Sequence, residues 1–277
     1  MAEPRSSRSS RRVFLSAAAA TLAACSRQGR GKGGPVGNAG SPPPSTAGLA
    51  SGGRPQGTGT GANAHPTKPT GPARVVFNGP RSGSQVALTF HGSGDPALAR
   101  ELLGVVERAA AHITVFAVGT WLQQNPEMAT RILGAGHELD NHTLTHPVLG
   151  RLGGAAVAGE IRGCQAVLRR LGAGPGGGHY FRPSGMTTPT PLVLSQAGAA
   201  GYPLVVSFDV DPADYTDPGA AAVAARVAAG VRPGSIVSLH TGHAGTVTAM
   251  SDILMTLHHR GLQAVPLRRL LVGEPFA

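Results

Sequence analysis

A formal net charge of +10 on 277 residues, with 41 Gly, 23 Pro and only 4% aromatic residues, describes a basic chain of which part never packs into a core. The charge is local: residues 1–73 carry nine Lys and Arg against the single acid Glu3, whereas 74–277 carry fifteen against thirteen Asp and Glu. A nearly neutral C-terminal part excludes the basic footprint of a nucleic-acid partner, and its few aromatics exclude a stacking platform for single strands.

The chain opens on a basic, polar stretch, Met1 to Arg12, followed by Val13-Phe14-Leu15 and the apolar run Ser16 to Ala24. A positive start, an apolar run of roughly ten residues and small residues at its end have the layout of an export signal, too short to span a bilayer. Ser10-Arg11-Arg12-Val13-Phe14-Leu15 resembles a twin-arginine signal. Leu22-Ala23-Ala24-Cys25 resembles a lipobox, whose cysteine takes a diacylglycerol; two acyl chains anchor stably where one is marginal. The expectation is a lipoprotein signal peptide over 1–25 and lipidation at Cys25. The exported chain would then be held at the cell membrane, facing the wall or periplasm. The competing reading is a basic tail with a chance run of alanines. Cys164 is the only other cysteine, so a disulfide would have to consume the residue assigned to lipid, and none is expected.

From Ser26 to Ala73 the chain is rich in Gly and Pro, with Ser, Thr and almost nothing large and apolar. Such a segment cannot bury enough surface to offset its ordering entropy, and 26–73 is expected to be a disordered, flexible linker.

Residues 74–277 suffice for one sizeable core. Strand-like runs, short and rich in β-branched or apolar residues, fall at Gln85–Phe90, Ile113–Val118, His137–Leu139, His179–Arg182, Leu204–Val210, Ser235–His240 and Gln263–Pro266. Helix-like stretches lie between them at Pro96–Ala110, Pro126–Gly134, Gly154–Leu171, Thr190–Ala200, Pro218–Ala229 and Thr246–Arg260, several with Pro or Thr at their start. The alternation predicts an α/β fold, a distorted or incomplete (β/α) barrel of about seven strands, with no internal repeat. His91, Asp95, His142, His146, Arg182, Asp209, Asp211, Asp214 and His240 cluster where strands end, the edge at which such barrels place their sites.

In Asn141-His142-Thr143-Leu144-Thr145-His146-Pro147, two histidines four apart in a helical turn would face one side about 6 Å apart and could grip one ion. Imidazole suits zinc and its neighbours, and a catalytic ion takes three protein ligands and leaves one position open. The spacing alone is equally met by two exposed histidines on a helix.

The ordered motifs of 75–272 resemble the polysaccharide deacetylase family, carbohydrate esterase family 4 with its NodB-homology domain. Gly136 to His146 resembles the family's metal-binding segment, with His142 and His146 on its two histidine ligands. Tyr180-Phe181-Arg182-Pro183-Ser184-Gly185 resembles the segment that lines the groove, where the arginine orients the catalytic acid residue; Pro183 and Ser184 would touch substrate. Ser207 to Tyr215 resembles the motif whose aspartate tunes the catalytic histidine and whose aromatic forms a wall. Asp211 and Asp214 are the candidates there, Asp211 as the catalytic aspartate and Asp214, with Asp209 and Tyr215, beside substrate. Ser235-Ile236-Val237-Ser238-Leu239-His240 resembles the strand ending in the histidine that protonates the leaving amine, a role imidazole fills well at neutral pH.

The resemblance implies a divalent metal, zinc foremost, that activates water against an acyl carbonyl, with His240 as proton donor. One motif departs. Where the family has Thr-Phe-Asp-Asp-Gly, with a base and a third ligand, Thr89-Phe90 leads into His91-Gly92-Ser93-Gly94-Asp95-Pro96. His91 could be the third ligand, the base, or neither, and Asp95 reads as a helix cap before Pro96. With His91 a ligand, the base would be Asp209, Asp211 or a second water. The expected function is a monomeric, metal-dependent hydrolase that deacetylates N-acetylated or O-acylated cell-envelope glycan such as peptidoglycan. The alternative is a glycan-binding lipoprotein that kept the groove and lost turnover.

Overall fold

The computed structural model describes residues 71–272 except Pro175; the expected export signal, Cys25 and nearly all of the expected linker lie outside the described residues. Among the described residues there are seven strands: β1 (Arg74–Val76), β2 (Gln85–Gly92), β3 (Thr114–Ala117), β4 (Glu138–Asn141), β5 (Leu204–Val206), β6 (Ile236–His240) and β7 (Gln263–Ala264). Eight helices accompany them: α1 (Pro96–Arg108), α2 (Gly119–Gln124), α3 (Pro126–Gly134), α4 (Gly154–Arg170), α5 (Pro191–Ala199), α6 (Ala220–Gly230), α7 (Ala244–His259) and α8 (Leu267–Leu270).

All strand pairs are parallel, as crossover helices require. One ladder runs β4-β3-β2-β6 with β7 on the start of β2, and β1 pairs with β5. Phe181 bridges Asn141 on one side and Val205 on the other, while Val210–Val237 and Asn78–Ser235 bridges reach β6. Single bridges, not ladders, complete the ring, which is the distorted, incomplete barrel of an α/β, NodB-like fold.

The seven strands are not the seven expected. His179–Arg182 forms no strand beyond the Phe181 bridges, and Leu204–Val210 is a ladder only to Val206. In exchange Arg74–Val76, at the edge of the linker composition, pairs with β5. Ala73, assigned by composition to the linker, is buried against Val193 and Val205 and donates its N–H to Leu194 O. Helices α2 and α8 were not expected: each is under two turns long, below what periodicity can reveal.

Period-two alternation sorts the strand residues. Leu88, Phe90, Val115, Ala117, Leu139, Val237 and Leu239 face outward and pack under Leu102, Val106, Met250 and Ile253 of α1 and α7. Ala87, Phe116, Val206 and Ile236 face inward with Leu267 and Leu270 of α8. On the same inward rows stand Thr89, His91, Glu138, Asp140, Ser238 and His240, so the barrel's interior becomes polar toward the strand ends. Helix starts carry their expected signals: Asp95 accepts from Ala97 N at 2.8 Å before Pro96, and Thr190 accepts from Val193 N at 3.3 Å before Pro191.

Candidate active site

The register decides which side chains meet. β2 and β6 align His91 with His240, and β2 and β3 align His91 with Phe116. His142 directly follows β4. Three inward rows therefore end in histidine at one edge of the barrel.

His91 Nδ1 lies 2.7 Å from His142 Nε2, and His146 Nε2 lies 3.1 Å from the same atom. One nitrogen from each of the three rings lies within 4.8 Å of the others. His142 has no solvent exposure, whereas His146 is exposed, so the cluster is closed below and open at the rim. Burial, and secondarily the neighbouring histidines, pushes the His91 and His142 rings well below the usual imidazole range; burial also lowers His146. Neutral rings are the form that binds cations.

The rings meet without a helix. Residues 142–146 form a bend in which Thr143 (φ 71°) and His146 (φ 62°) take left-handed backbone, a correction to the helical turn expected from the four-residue spacing. Left-handed backbone in a β-branched residue is costly and persists only where surroundings impose it. Here Asn141 Oδ1 accepts from Thr143 N at 2.9 Å, Thr143 Oγ1 bonds Ser184 Oγ at 3.1 Å, and Glu160 accepts from both Thr145 N and Thr145 Oγ1.

The two positions of the divergent first motif point opposite ways, and His91 is the one on the inward row. Its side chain faces the cluster, with Nε2 2.9 Å from Ser238 Oγ. Gly92 faces the other way: a Cβ there would stand 2.8 Å from Val115 Cγ1 and 3.1 Å from Ala117 Cα. Position 92 has no room for a side chain on this backbone, so His91 is the first-motif residue that can serve the site.

Beside the cluster, His240 stacks on His91 with ring centroids 4.3 Å apart and planes 13° from parallel. Its Nδ1 is 2.8 Å from Asp214 Oδ1, and its backbone N–H donates to Asp214 Oδ2 at 2.8 Å. Thr246 Oγ1 donates to the same Oδ2 at 2.6 Å. Burial alone would raise the Asp214 carboxyl, but hydrogen bonds from His240 and Thr246 outweigh it and hold it below the usual range. Asp214, expected beside substrate, is thus the partner of His240.

Other expectations are redistributed. Asp211, the expected catalytic aspartate, is exposed and spends its Oδ1 on Ala213 N, an Asx turn. Asp209 accepts from Arg81 Nη2 at 2.7 Å and from Ile236 N at 2.8 Å, at the start of β6. Ile236 stands four positions before His240, about 13 Å along a strand, so Asp209 belongs to the far end of the barrel. Neither is placed to act as a base. Arg182 touches no catalytic acid: buried at 1% exposure, it donates from Nε to Val206 O and from Nη2 to Ser207 O, and lies 4.2 Å over the Phe116 ring. Burial lowers it to about 9, against the opposing pull of Asp140. Its contribution to the site is its carbonyl, 2.9 Å from His142 Nδ1. Pro183 and Ser184 are buried, and Ser184 Oγ donates to Pro147 O, which braces the 142–147 bend instead of lining a groove. Tyr215 does stand at the rim, half exposed, its ring 5.4 Å from His240. Ser238, Thr246 and the His243–Asp217 pair at 2.8 Å were not anticipated; a serine in a strand and a threonine in a helix carry no signal of their own.

Residues 78–205 match the family described as polysaccharide deacetylase. A chitooligosaccharide deacetylase of Bradyrhizobium sp. is 33% identical over 200 residues, which cover 67% of this chain and 90% of that relative. The chain belongs to the polysaccharide deacetylase family. Within the family, a peptidoglycan-N-acetylglucosamine deacetylase of Bacillus cereus is 29% identical over 208 residues, 74% of this chain and 95% of the relative. The crystal structure of the Bc1960 peptidoglycan N-acetylglucosamine deacetylase superposes with a TM-score of 0.66 at 26% identity, covering 71% of this chain and 92% of that one.

The residues present fit the metal that the family implies. Three neutral imidazoles converge, and the outward nitrogens of the two buried rings already have partners in Arg182 O and Ser238 Oγ, the second-shell arrangement that metal-binding histidines show. The all-nitrogen donor set suits zinc and nearby transition metals better than calcium or magnesium.

Proposed function

We propose that this chain is a metal-dependent hydrolase that removes acetyl groups from N-acetylated, or O-acylated, glycan of the cell envelope, peptidoglycan foremost, with His91, His142 and His146 as ligands of a zinc ion. The observation that carries the reading is the convergence of those three rings beside a separate His240–Asp214 pair. An ion bound there would polarise an acyl carbonyl and acidify a water. His240 handles the proton. Its Nδ1–H donates to Asp214, which fixes the tautomer and leaves Nε2 as the atom that exchanges a proton with the reacting groups and delivers it to the departing nitrogen. Asp214, held by three donors, keeps the ring from turning. Tyr215 offers an aromatic wall on which a sugar face can rest.

A second reading, a chain that binds glycan without turning it over, is favoured by one observation: among the described residues, Asp214 is the carboxylate hydrogen-bonded to the group His91, His142, His146 and His240. One experiment separates the two. The protein is stripped, reloaded with zinc or cobalt, and assayed for acetate release from chitooligosaccharide, peptidoglycan and an aryl acetate, beside the His142→Ala, His146→Ala double variant and His91→Asp. Metal-dependent release by wild type, lost in the double variant, is expected. Release by His91→Asp alone would establish the binding reading, and no metal-dependent release from any of them would remove the enzyme.

A further inference from the structure

Ser238 lies in the middle of β6, buried at 1% exposure on the inward row between Ile236 and His240. We propose that it is a positioning residue for the metal centre: its hydroxyl determines which ring nitrogen of His91 carries the proton, and so presents Nδ1 bare toward the ion. The inference rests on the reading of His91 as a ligand.

The hydrogen-bond chain leaves few choices. His142 Nδ1 is 2.9 Å from Arg182 O, an atom that can only accept, so the proton of neutral His142 sits on Nδ1 and its Nε2 is bare. His91 Nδ1, 2.7 Å from that bare nitrogen, must then be the donor between them when no ion intervenes. A neutral imidazole has one N–H, so His91 Nε2 is bare in turn, and the Ser238 hydroxyl, 2.9 Å away, donates to it. With an ion at the cluster, His91 can join only through a bare Nδ1; its proton then sits on Nε2, and the same Ser238 oxygen accepts it. Between the two states the ring keeps one proton and changes only its position.

A hydroxyl can fill both roles because it donates and accepts, whereas a methyl group fills neither. His91 Nε2 has no other hydrogen-bond partner among the described residues. In the metal-bound state the loss of Ser238 Oγ would strand a buried N–H, the kind of orphan that folded proteins tolerate least. A carboxylate at position 91 would offer a bare oxygen toward the ion without any tautomer to select. The serine therefore matters because residue 91 is a histidine.

That dependence supplies the test, made on the full chain by cobalt titration and the visible spectrum of the bound ion. Ser238→Ala is expected to bind cobalt about 10- to 100-fold more weakly, the usual loss when a partner of a ligating histidine is removed, with altered band intensities. Ser238→Thr, which keeps the hydroxyl, restores both. In a His91→Asp background, Ser238→Ala changes neither. Equal cobalt affinity and spectra in wild type and Ser238→Ala would overturn the assignment, as would an equal loss in both backgrounds, the mark of a merely structural serine. A wild type that binds no cobalt removes it together with the ligand reading. Wild type that shows the expected cobalt behaviour but releases no acetate leaves the role of Ser238 standing and removes the deacetylase.

Discussion

His137 is buried at the start of the segment that leads into β4, with Nδ1 facing Ile113 N. Burial, helped by nearby His112, lowers it to about 4, from about 6.5 in an unfolded chain. Between those values the unfolded chain takes up a proton that the folded chain refuses. Stability present above about pH 6.5 is therefore lost as pH falls toward about 4. His91 and His142, lowered in the same direction, add to the loss. Urea unfolding of the chelator-treated protein at pH 7.5 and 5 should show a clear drop, reduced in His137→Leu; identical drops in both proteins would contradict this assignment. At the residue scale, the resemblance to the family's motifs, and not the spacing alone, made His142, His146 and His240 legible. It could not separate Asp211 from Asp214, because both sit among Pro and Ala in a turn, and only the left-handed Ala213 (φ 50°) decides which carboxylate faces inward. Nor could it see Ser238, whose importance lies across the sheet in residue 91.

Among the elements, the expected strand at 179–182 is the instructive failure. Its residues have strand character, but Gly176, Gly177 and Gly178 precede it and Pro183 follows, and only Phe181 finds bridges. What fastens it is Asp140, the inward residue of β4, whose Oδ1 accepts from His179 N at 2.6 Å and Tyr180 N at 3.0 Å. The consequence reaches the site, since the same segment carries the Arg182 carbonyl that orients His142. Burial, and then the charge of Glu138, pushes the Asp140 carboxyl well above its usual range. A neutral acceptor is thus what the position favours. Asp140→Asn should fold with little loss and bind cobalt as wild type does. Asp140→Ala leaves the buried Tyr180 N–H without an acceptor, at roughly 1–3 kcal/mol, frees the part-buried His179 N–H as well, and should weaken cobalt binding as His142 loses its guide. Denaturant titration and cobalt titration of the pair check both halves; an alanine variant as stable as the asparagine variant would refute the fastening role. Helices of nine residues or more were legible because capping and periodicity agree over several turns, as at Asp95-Pro96 and Thr190-Pro191. The 142–146 bend was not, because four-residue spacing places two side chains on one side both in a helix and in a left-handed turn.

For the molecule as a whole, the nearly neutral domain and the basic N-terminal residues are two separate statements about location. No helix among the described residues is long and apolar enough to cross a membrane. We propose that attachment is through a lipid on Cys25, which lies outside the described residues. We propose that 26–72, read from its Gly and Pro content as a flexible linker, is the tether; a random coil of that length has a root-mean-square reach of roughly 40 Å. That is enough to let a domain work on glycan above the bilayer while it stays tied to it. A diacylglycerol on Cys25 supplies two chains, the number that makes anchoring stable. The full chain expressed in a host with twin-arginine export and lipoprotein processing should partition into the detergent phase on Triton separation, and Cys25→Ala should move to the aqueous phase. Acetate release from soluble chitooligosaccharide, which needs no membrane, should be the same for both proteins, because position 25 precedes the folded residues by the whole linker. A Cys25→Ala chain that stays in the detergent phase would mean that the apolar run itself, and not a lipid, holds the protein.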